Sequence, residues 1–273
     1  THASSKTGRG VYVSSGTFNM YGGSITGNKA QDAQGRGGGV YVYSGSGTFN
    51  MYGGSITGNR ATGDGGGVYK SGSNSSFNMY GGSITGNTAN SYGGGVYVDG
   101  GGFTMSGGTI GGTKTGETNT ATYGGGGVYA KANFEMTGGS ITGNETNRGG
   151  GVYVTGKGSF TMSASADGQN IPSITGNNAT ENGGGVYVIG SSSTFKMTGG
   201  TIGGTDANDA NTATNGGGVC VFSNDNSDGF TMNDTASITG NTANQDGGGV
   251  CASAGKFNMN STASVTKNAA TQY

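Results

Sequence analysis

The chain has 273 residues, and 13 Lys and Arg stand against 14 Asp and Glu, so its net charge is −1. Nucleic acids and anionic membranes attract proteins through a basic field, so this balance argues against both as partners. No apolar run approaches the roughly 18 residues of a membrane span, and the start lacks the apolar segment of a signal peptide, so we do not expect membrane insertion.

In chain order, residues 1–10 form a lead-in, and a repeat of about 30 residues then continues to residue 270, as in solenoid proteins. Its first landmark is the Val of a Val-Tyr-Val triplet, which recurs at intervals of 24 to 34 residues. These are Val11, Val40, Val68, Val96, Val128, Val152, Val186, Val219 and Val250. The whole chain is therefore predicted to be a single domain, 1–273.

Two further landmarks follow each Val. The second is a Phe-x-Met triplet, which contains all nine Met residues, and the third is a segment that reads Ser-Ile-Thr-Gly-Asn in six of the nine coils and a variant of it in the others. Alternate side chains of a strand point to opposite faces, so Val, Phe, Met and Ile are predicted to face inward. A helical fold is disfavoured because 65 residues are Gly, each costing about 1 kcal/mol inside a helix.

Stacking the repeats in register pairs each short strand with its copy one coil away. The sequence thus predicts an all-β fold, a parallel β-helix of about nine coils with three short strands per coil. Its winding is predicted to be right-handed, because parallel crossovers nearly always are.

Two recurring features are interpreted as structural. An Asn ends the Ser-Ile-Thr-Gly-Asn segment, and stacked Asn residues hydrogen-bond along a ladder. This column contains Asn28, Asn59, Asn87, Asn144, Asn177, Asn241 and Asn268. The Gly triplets before each Val are predicted to be corners that need positive φ or close approach of coils.

The centre of the Val-Tyr-Val triplet is the preferred candidate for ligand binding. Its side chain is predicted to face outward, and a row of aromatic rings suits sugar rings or a neighbouring chain. The opposing interpretation is that Tyr favours strands and stacks on itself at this spacing. The candidate residues are Tyr12, Tyr41, Tyr69, Tyr97, Tyr129, Tyr153 and Tyr187.

The outward Ser and Thr of Ser-Ile-Thr form a second candidate face, which is similar to the ice-binding faces of some antifreeze proteins. Gly111 and Gly203 interrupt its Thr column. A third alternative is a polysaccharide lyase of the pectate-lyase-like type, which needs clustered carboxylates, calcium and a basic residue. The acidic residues here lie mostly in corners, and Arg36 and Asp64 are predicted to form only a surface ion pair, so no catalytic residues and no cofactor are expected.

The two cysteines, Cys220 and Cys251, occupy the centres of consecutive triplets. In-register stacking would bring their Cα atoms to about 5 Å, inside the range for a disulfide. Parallel side chains would strain that bond, so free thiols and a disulfide both stay open. A zinc site is not expected, because His2 is the single His and no four-ligand set exists.

The run Ile-Thr-Gly-Asn-x-Ala followed by Gly-Gly-Gly-Val, as in residues 56–69 and 84–97, resembles the repeat of polymorphic outer-membrane-protein-like and adhesin-like bacterial surface proteins. The resemblance covers almost the whole chain and implies an extracellular, non-enzymatic stalk, adhesin passenger or filament subunit. Expected partners are a host or cell-wall glycan or protein. Because an uncapped β-helix exposes a strand edge at each end, a continuation of a longer parent chain or a second copy stacked end to end is also expected. The alternative function is a carbohydrate-binding module that uses the Tyr row.

Overall fold

A computed structural model describes residues 10–43, 45–206, 208–222 and 229–272. Residues 1–9, which include most of the predicted lead-in and His2, lie outside this part. The described residues contain strands and turns but no helix, and all strand pairs are parallel and join equivalent residues of successive coils. The all-β parallel solenoid predicted from the repeat is confirmed.

The strands form four parallel sheets of nine strands each, which we name A, B, C and D in the order in which a coil visits them. The first three sheets are the three predicted strands of each coil. Sheet A comprises Val11–Val13, Val40–Val42, Val68–Lys70, Val96–Val98, Val128–Ala130, Val152–Val154, Val186–Ile189, Val219–Phe222 and Val250–Ala254. Sheet B comprises Thr17–Met20, Thr48–Met51, Ser76–Met79, Gly102–Met105, Asn133–Met136, Ser159–Met162, Thr194–Met197, Gly229–Met232 and Lys256–Met259.

Sheet C carries the Ile of the third landmark. It comprises Ser24–Thr26, Ser55–Thr57, Ser83–Thr85, Thr109–Ile110, Ser140–Thr142, Ser173–Thr175, Thr201–Gly203, Ser237–Thr239 and Ser264–Thr266. Sheet D is an addition to the prediction, made of residues that the sequence placed in a corner. It comprises Lys29–Ala30, Arg60–Ala61, Thr88–Ala89, Thr120–Ala121, Glu145–Arg148, Asn178–Asn182, Thr212–Ala213, Thr242–Ala243 and Ala269–Ala270.

The core is a set of stacked rows of identical side chains. Nine Phe rings lie face to face along the axis, with successive centroids 4.6–5.1 Å apart and planes within 12°. Rows of Val, Met and Ile fill the rest. Lys70 stands in one of the Val rows of sheet A, between Val42 and Val98, and is fully buried. Its Nζ donates hydrogen bonds to the carbonyl oxygen of Gly72, at 2.8 Å, and to that of Gly100. Burial lowers the pKa of Lys70 to about 8.

The predicted Asn ladder is present between sheets C and D. Asn59 is typical: its Nδ2 donates to Oδ1 of Asn87 at 3.0 Å and to the carbonyl of Ile25 at 2.9 Å. Two members were not predicted from the sequence, Asn119 and Asn211, which come after the longer connections from Ile110 and Ile202. Those connections loop outward and return the chain to the same column, so the ladder is continuous.

The Gly triplets have the two properties that the sequence predicts. The first Gly has positive φ, as in Gly65 at 68°. The third lies against the next coil, where a Cβ on Gly67 would stand 2.6 Å from the carbonyl oxygen of Gly95. Any larger residue would therefore separate the coils at this corner.

Candidate functional site

The predicted Tyr row exists, but the structure corrects its exposure. Equivalent tyrosines of sheet A pair in register, and successive rings from Tyr41 to Tyr187 have centroids 4.8–5.2 Å apart. Six of the seven tyrosines are only 1–8% exposed, and only Tyr12, at 44%, reaches solvent substantially. The rings point away from the main core, as predicted, but they form a second core rather than an open face.

A second layer of chain covers these rings. It is formed by the residues that stand directly before each Gly triplet, and we call this set the cover row. It consists of Arg36, Asp64, Tyr92, Gly124, Arg148, Asn182, Asn215 and Asp246. Backbone hydrogen bonds join its members to the Gly of the neighbouring coil, as from Gly65 N–H to the Tyr92 carbonyl at 2.9 Å.

Individual contacts show how closely the cover row packs. The guanidinium carbon of Arg36 lies 5.1 Å from the ring centroid of Tyr69, a cation–π contact. The ring of Tyr92 lies 4.6 Å from that of Tyr129. The positive φ of the first Gly turns the chain back across sheet A, which is why these residues reach the rings.

Burial also changes the electrostatics of this layer. It raises the pKa of the Tyr153 phenol to about 12, and it raises the pKa values of Tyr69, Tyr97 and Tyr129 further. The predicted ion pair is present, with Arg36 Nε 3.8 Å from Asp64 Oδ2. Burial raises the pKa of Asp64, and the attraction of Arg36 offsets only part of this.

A different set of tyrosines is exposed. Tyr21, Tyr52 and Tyr80 follow the Met of sheet B in the first three coils, and they are 73%, 44% and 49% exposed. Their rings are stacked, with centroids 4.9 and 4.8 Å apart and planes within 10°. We call this set the exposed Tyr row. It lies outside both buried clusters.

Polar side chains flank the exposed Tyr row on the same face of sheet B. Asn50 Nδ2 donates to Asn19 Oδ1 at 2.9 Å, and Asn78 Nδ2 donates to Asn50 Oδ1 at 2.8 Å. Each amide has two N–H groups and two acceptor lone pairs, so Asn50 keeps bonding capacity for a ligand after these two bonds. Beyond the Asn row, the hydroxyls of Thr48 and Ser76 are 3.3 Å apart.

The outer face of sheet B continues as a shallow depression over the next three coils. It has a volume of about 460 Å³, and Thr104, Glu135 and Thr161 are among its lining residues. Glu135 is exposed there. Sheet B thus offers a long polar surface that begins at the three stacked rings.

The sequence indicates that the tyrosines of this row face outward, but only their observed exposure distinguishes them from the buried Tyr row. Tyr21 stands two residues after Asn19 and four after Thr17, so its parity places it on the outer face. Two Gly residues follow it, as they also follow Tyr52 and Tyr80. The buried Tyr row has the same outward parity, so parity by itself does not separate the two rows.

The Ser and Thr face is present as hydroxyl ladders, with Thr175 Oγ1 3.1 Å from Thr142 Oγ1. Two outward loops interrupt its edge, those that contain Glu117 and Asp209. The loop carbonyls of these residues accept hydrogen bonds from Gly86 and Gly176, which directly follow the Thr column. The flat regular surface that the ice-binding alternative needs is therefore broken at two coils.

Three ion pairs between described residues join neighbouring coils, and Arg36–Asp64 is one of them. Lys131 Nζ lies 2.9 Å from Asp99 Oδ1, and Arg148 pairs with Glu181 at 2.5 Å. Within the described residues, no three His, Cys, Asp or Glu side chains lie close enough to hold a metal ion. None of the described segments forms a helix that could cross a membrane.

Cys220 and Cys251 pair in register on neighbouring strands of sheet A and are both free thiols. Cys220 is buried and Cys251 is partly exposed. The hydrogen bond between the two thiols raises the pKa of Cys220, with burial adding to this, and lowers the pKa of Cys251.

A comparison of the chain with protein-family models, curated proteins and solved structures found no match in any of the three.

Proposed function

We propose that the protein is a non-enzymatic extracellular β-solenoid that serves as a stalk or adhesive passenger and binds a neutral polysaccharide on the outer face of sheet B. The observation that carries this proposal is the exposed Tyr row. Its three rings are stacked in solvent, at the margin of a polar surface that extends along the axis.

Folding does not require these rings. The same position holds Ser106, Thr137 and Thr198 in later coils, and the sheet is continuous there. Because large exposed aromatic side chains in a row are unusual on a monomer surface, a binding role accounts for them better than stability does.

The chemistry of the face suits a sugar chain. Aromatic rings pack against the apolar faces of sugar rings, while amides and hydroxyls bond to sugar hydroxyls. The flanking groups at Asn19, Asn50 and Asn78 are uncharged, and the chain as a whole has a net charge of −1. A neutral polysaccharide is therefore a better match than an acidic one.

The test is binding of the chain to a panel of immobilised neutral and acidic polysaccharides, with Tyr52→Ser and Tyr80→Ser as variants. Tyr123→Ser is the matched control, because Tyr123 is 54% exposed but lies outside the row. We expect binding to a neutral polysaccharide that each row variant weakens at least about tenfold, the equivalent of 1.4 kcal/mol. Equal binding by all variants, or no binding to any polysaccharide, would overturn the proposal.

A second proposal concerns the two end coils. In the last coil Met259 is 48% exposed and Phe257 and Val265 are only partly buried, whereas the same rows are at most 1% exposed in the interior coils. We propose that a second copy stacked end to end covers this surface. Light scattering with negative-stain imaging tests the second copy: stacked rods support it, and a strict monomer at high concentration removes it.

A further inference from the structure

The buried Tyr row ends in two cysteines. Tyr187 pairs in register with Cys220, and Cys220 pairs with Cys251. The row thus changes from large rings to small thiols over its last two described coils, although the cover row continues above it with Asn182, Asn215 and Asp246.

This change leaves space beside the sulfur atoms. A cavity of about 210 Å³ lies at the end of the row, and it is lined by Tyr187, Phe222, Ser253 and the three cover-row residues named above. Both thiols line it.

Cys220 and Cys251 pair in register on neighbouring strands of sheet A, so their side chains lie side by side on the same face of the sheet. They are held by the backbone ladder, not by flexible loops. Two thiols on adjacent strands that border the same cavity are the arrangement of a bidentate soft ligand.

We propose that Cys220 and Cys251 form a binding site for a single soft monovalent cation, Cu(I), which the two thiolates coordinate across neighbouring coils. Thiolates select Cu(I) over harder cations. A metal–thiolate bond is about 2.3 Å long for zinc, so two such bonds on opposite sides of a cation span about 4.6 Å, close to the strand spacing of about 4.8 Å.

Zinc fits this site poorly. A structural zinc site is closed by four ligands, and no group of three or more candidate ligands exists among the residues that the structure describes. Cu(I) accepts two ligands. Binding exchanges two S–H bonds for two S–Cu bonds, both protons go to water, and neither copper nor sulfur changes its oxidation state.

The test is a titration of the reduced chain with Cu(I) under anaerobic conditions, against a chromogenic Cu(I) chelator. The variants are Cys220→Ser and Cys251→Ser, and Cys220→Tyr restores the ring that the other coils carry. We expect one Cu(I) per wild-type chain and a loss of roughly 100-fold or more in affinity in each single variant, because two linked ligands bind far better than one.

Several outcomes would overturn the proposal. One is equal affinity in the wild type and the single Ser variants, and another is a chain whose cysteines form a disulfide that a thiol reductant does not open. Circular dichroism and urea unfolding of each variant show whether it folds. X-ray absorption of the loaded wild type provides a readout that does not depend on variants: two sulfur neighbours support the site, and nitrogen or oxygen neighbours contradict it.

Discussion

The two tyrosine rows of this solenoid have the same side chains and similar stacking, but one row is buried and the other is exposed. Tyr69, Tyr97 and Tyr129 stack at 4.9 Å on sheet A and are almost fully buried. Tyr21, Tyr52 and Tyr80 stack at 4.8–4.9 Å beside sheet B and are exposed. Both rows point away from the main core, so the direction of a side chain did not decide its exposure.

The difference comes from the chain segments that neighbour each row. The chain before each Gly triplet turns back and lays the cover row over the sheet A tyrosines, whereas Tyr21, Tyr52 and Tyr80 stack only on one another and stay 44–73% exposed. A row of stacked aromatic rings in a solenoid is therefore a structural element where a second layer of chain covers it. Where no such layer covers the rings, the row is a candidate binding surface.

The largest expected effect comes from removing a ring of the buried row. Tyr97→Ala leaves a cavity between two stacked rings, and we expect it to lower the free energy of unfolding by about 3–5 kcal/mol, as for other large core aromatics. Urea unfolding measures the loss, and Tyr97→Phe, which keeps the ring, is the control. A cost below about 1 kcal/mol would show that the cover row does not pack on this ring.

The second test uses pH. Burial raises the pKa of Tyr153 from 10 to about 12, so its neutral phenol stabilises the folded chain fully below pH 10 and progressively less as the pH rises to about 12. Tyr153→Phe removes this proton, so between pH 10 and 12 its free energy of unfolding, measured with urea, should fall less steeply with pH than that of the wild type, by up to about 1.4 kcal/mol per pH unit. An unchanged pH dependence would mean that this phenol is accessible to water.

The third test disturbs the cover row itself. A Cβ on Gly124 would stand 2.6 Å from the ring of Tyr153, so Gly124→Ala should lift the cover row and cost about 1–3 kcal/mol, as overpacking does elsewhere. Gly102→Ala is the matched control, because a Cβ there meets nothing within 4 Å. Equal stability of the two variants, measured by thermal unfolding, would indicate that the cover row can move away from the Tyr153 ring without lowering the free energy of unfolding.

The smallest effect on stability is expected in the exposed row. Tyr52→Ala removes two stacking contacts in solvent and should cost about 0.5–1.5 kcal/mol. Urea unfolding beside Tyr97→Ala measures the contrast between the rows directly. A cost as large as that of Tyr97→Ala would make the exposed row a structural element too, and would weaken the polysaccharide proposal.

Much of the fold could be predicted because the same local pattern recurs in every coil. The Val, Phe and Ile landmarks placed three of the four sheets, and the Gly triplets and the Asn ladder were interpreted correctly. The fourth sheet was missed because its strands, such as Lys29–Ala30, are often only two residues long and carry no alternation. Asn119 and Asn211 were missed because loops of variable length separate them from Ile110 and Ile202.

The candidate site was less predictable. The sequence identified outward tyrosines but selected the covered row, since a longer column is the stronger signal in a sequence. The cover row has no common residue type, as Arg36, Tyr92 and Gly124 show, so no sequence pattern indicates it. The exposed row was visible only as a regular Tyr after the Met of three coils.

The sequence alone determined the all-β class, the parallel stacking and the inward rows, because strand parity and repeat spacing are local properties that each coil repeats. Only the tertiary structure decided which outward rows meet solvent and which residues of the cover row reach the sheet A tyrosines. The physical reason is that exposure depends on whether another segment of chain returns over a face. That return is set by the path of the whole coil and not by the residues of the face.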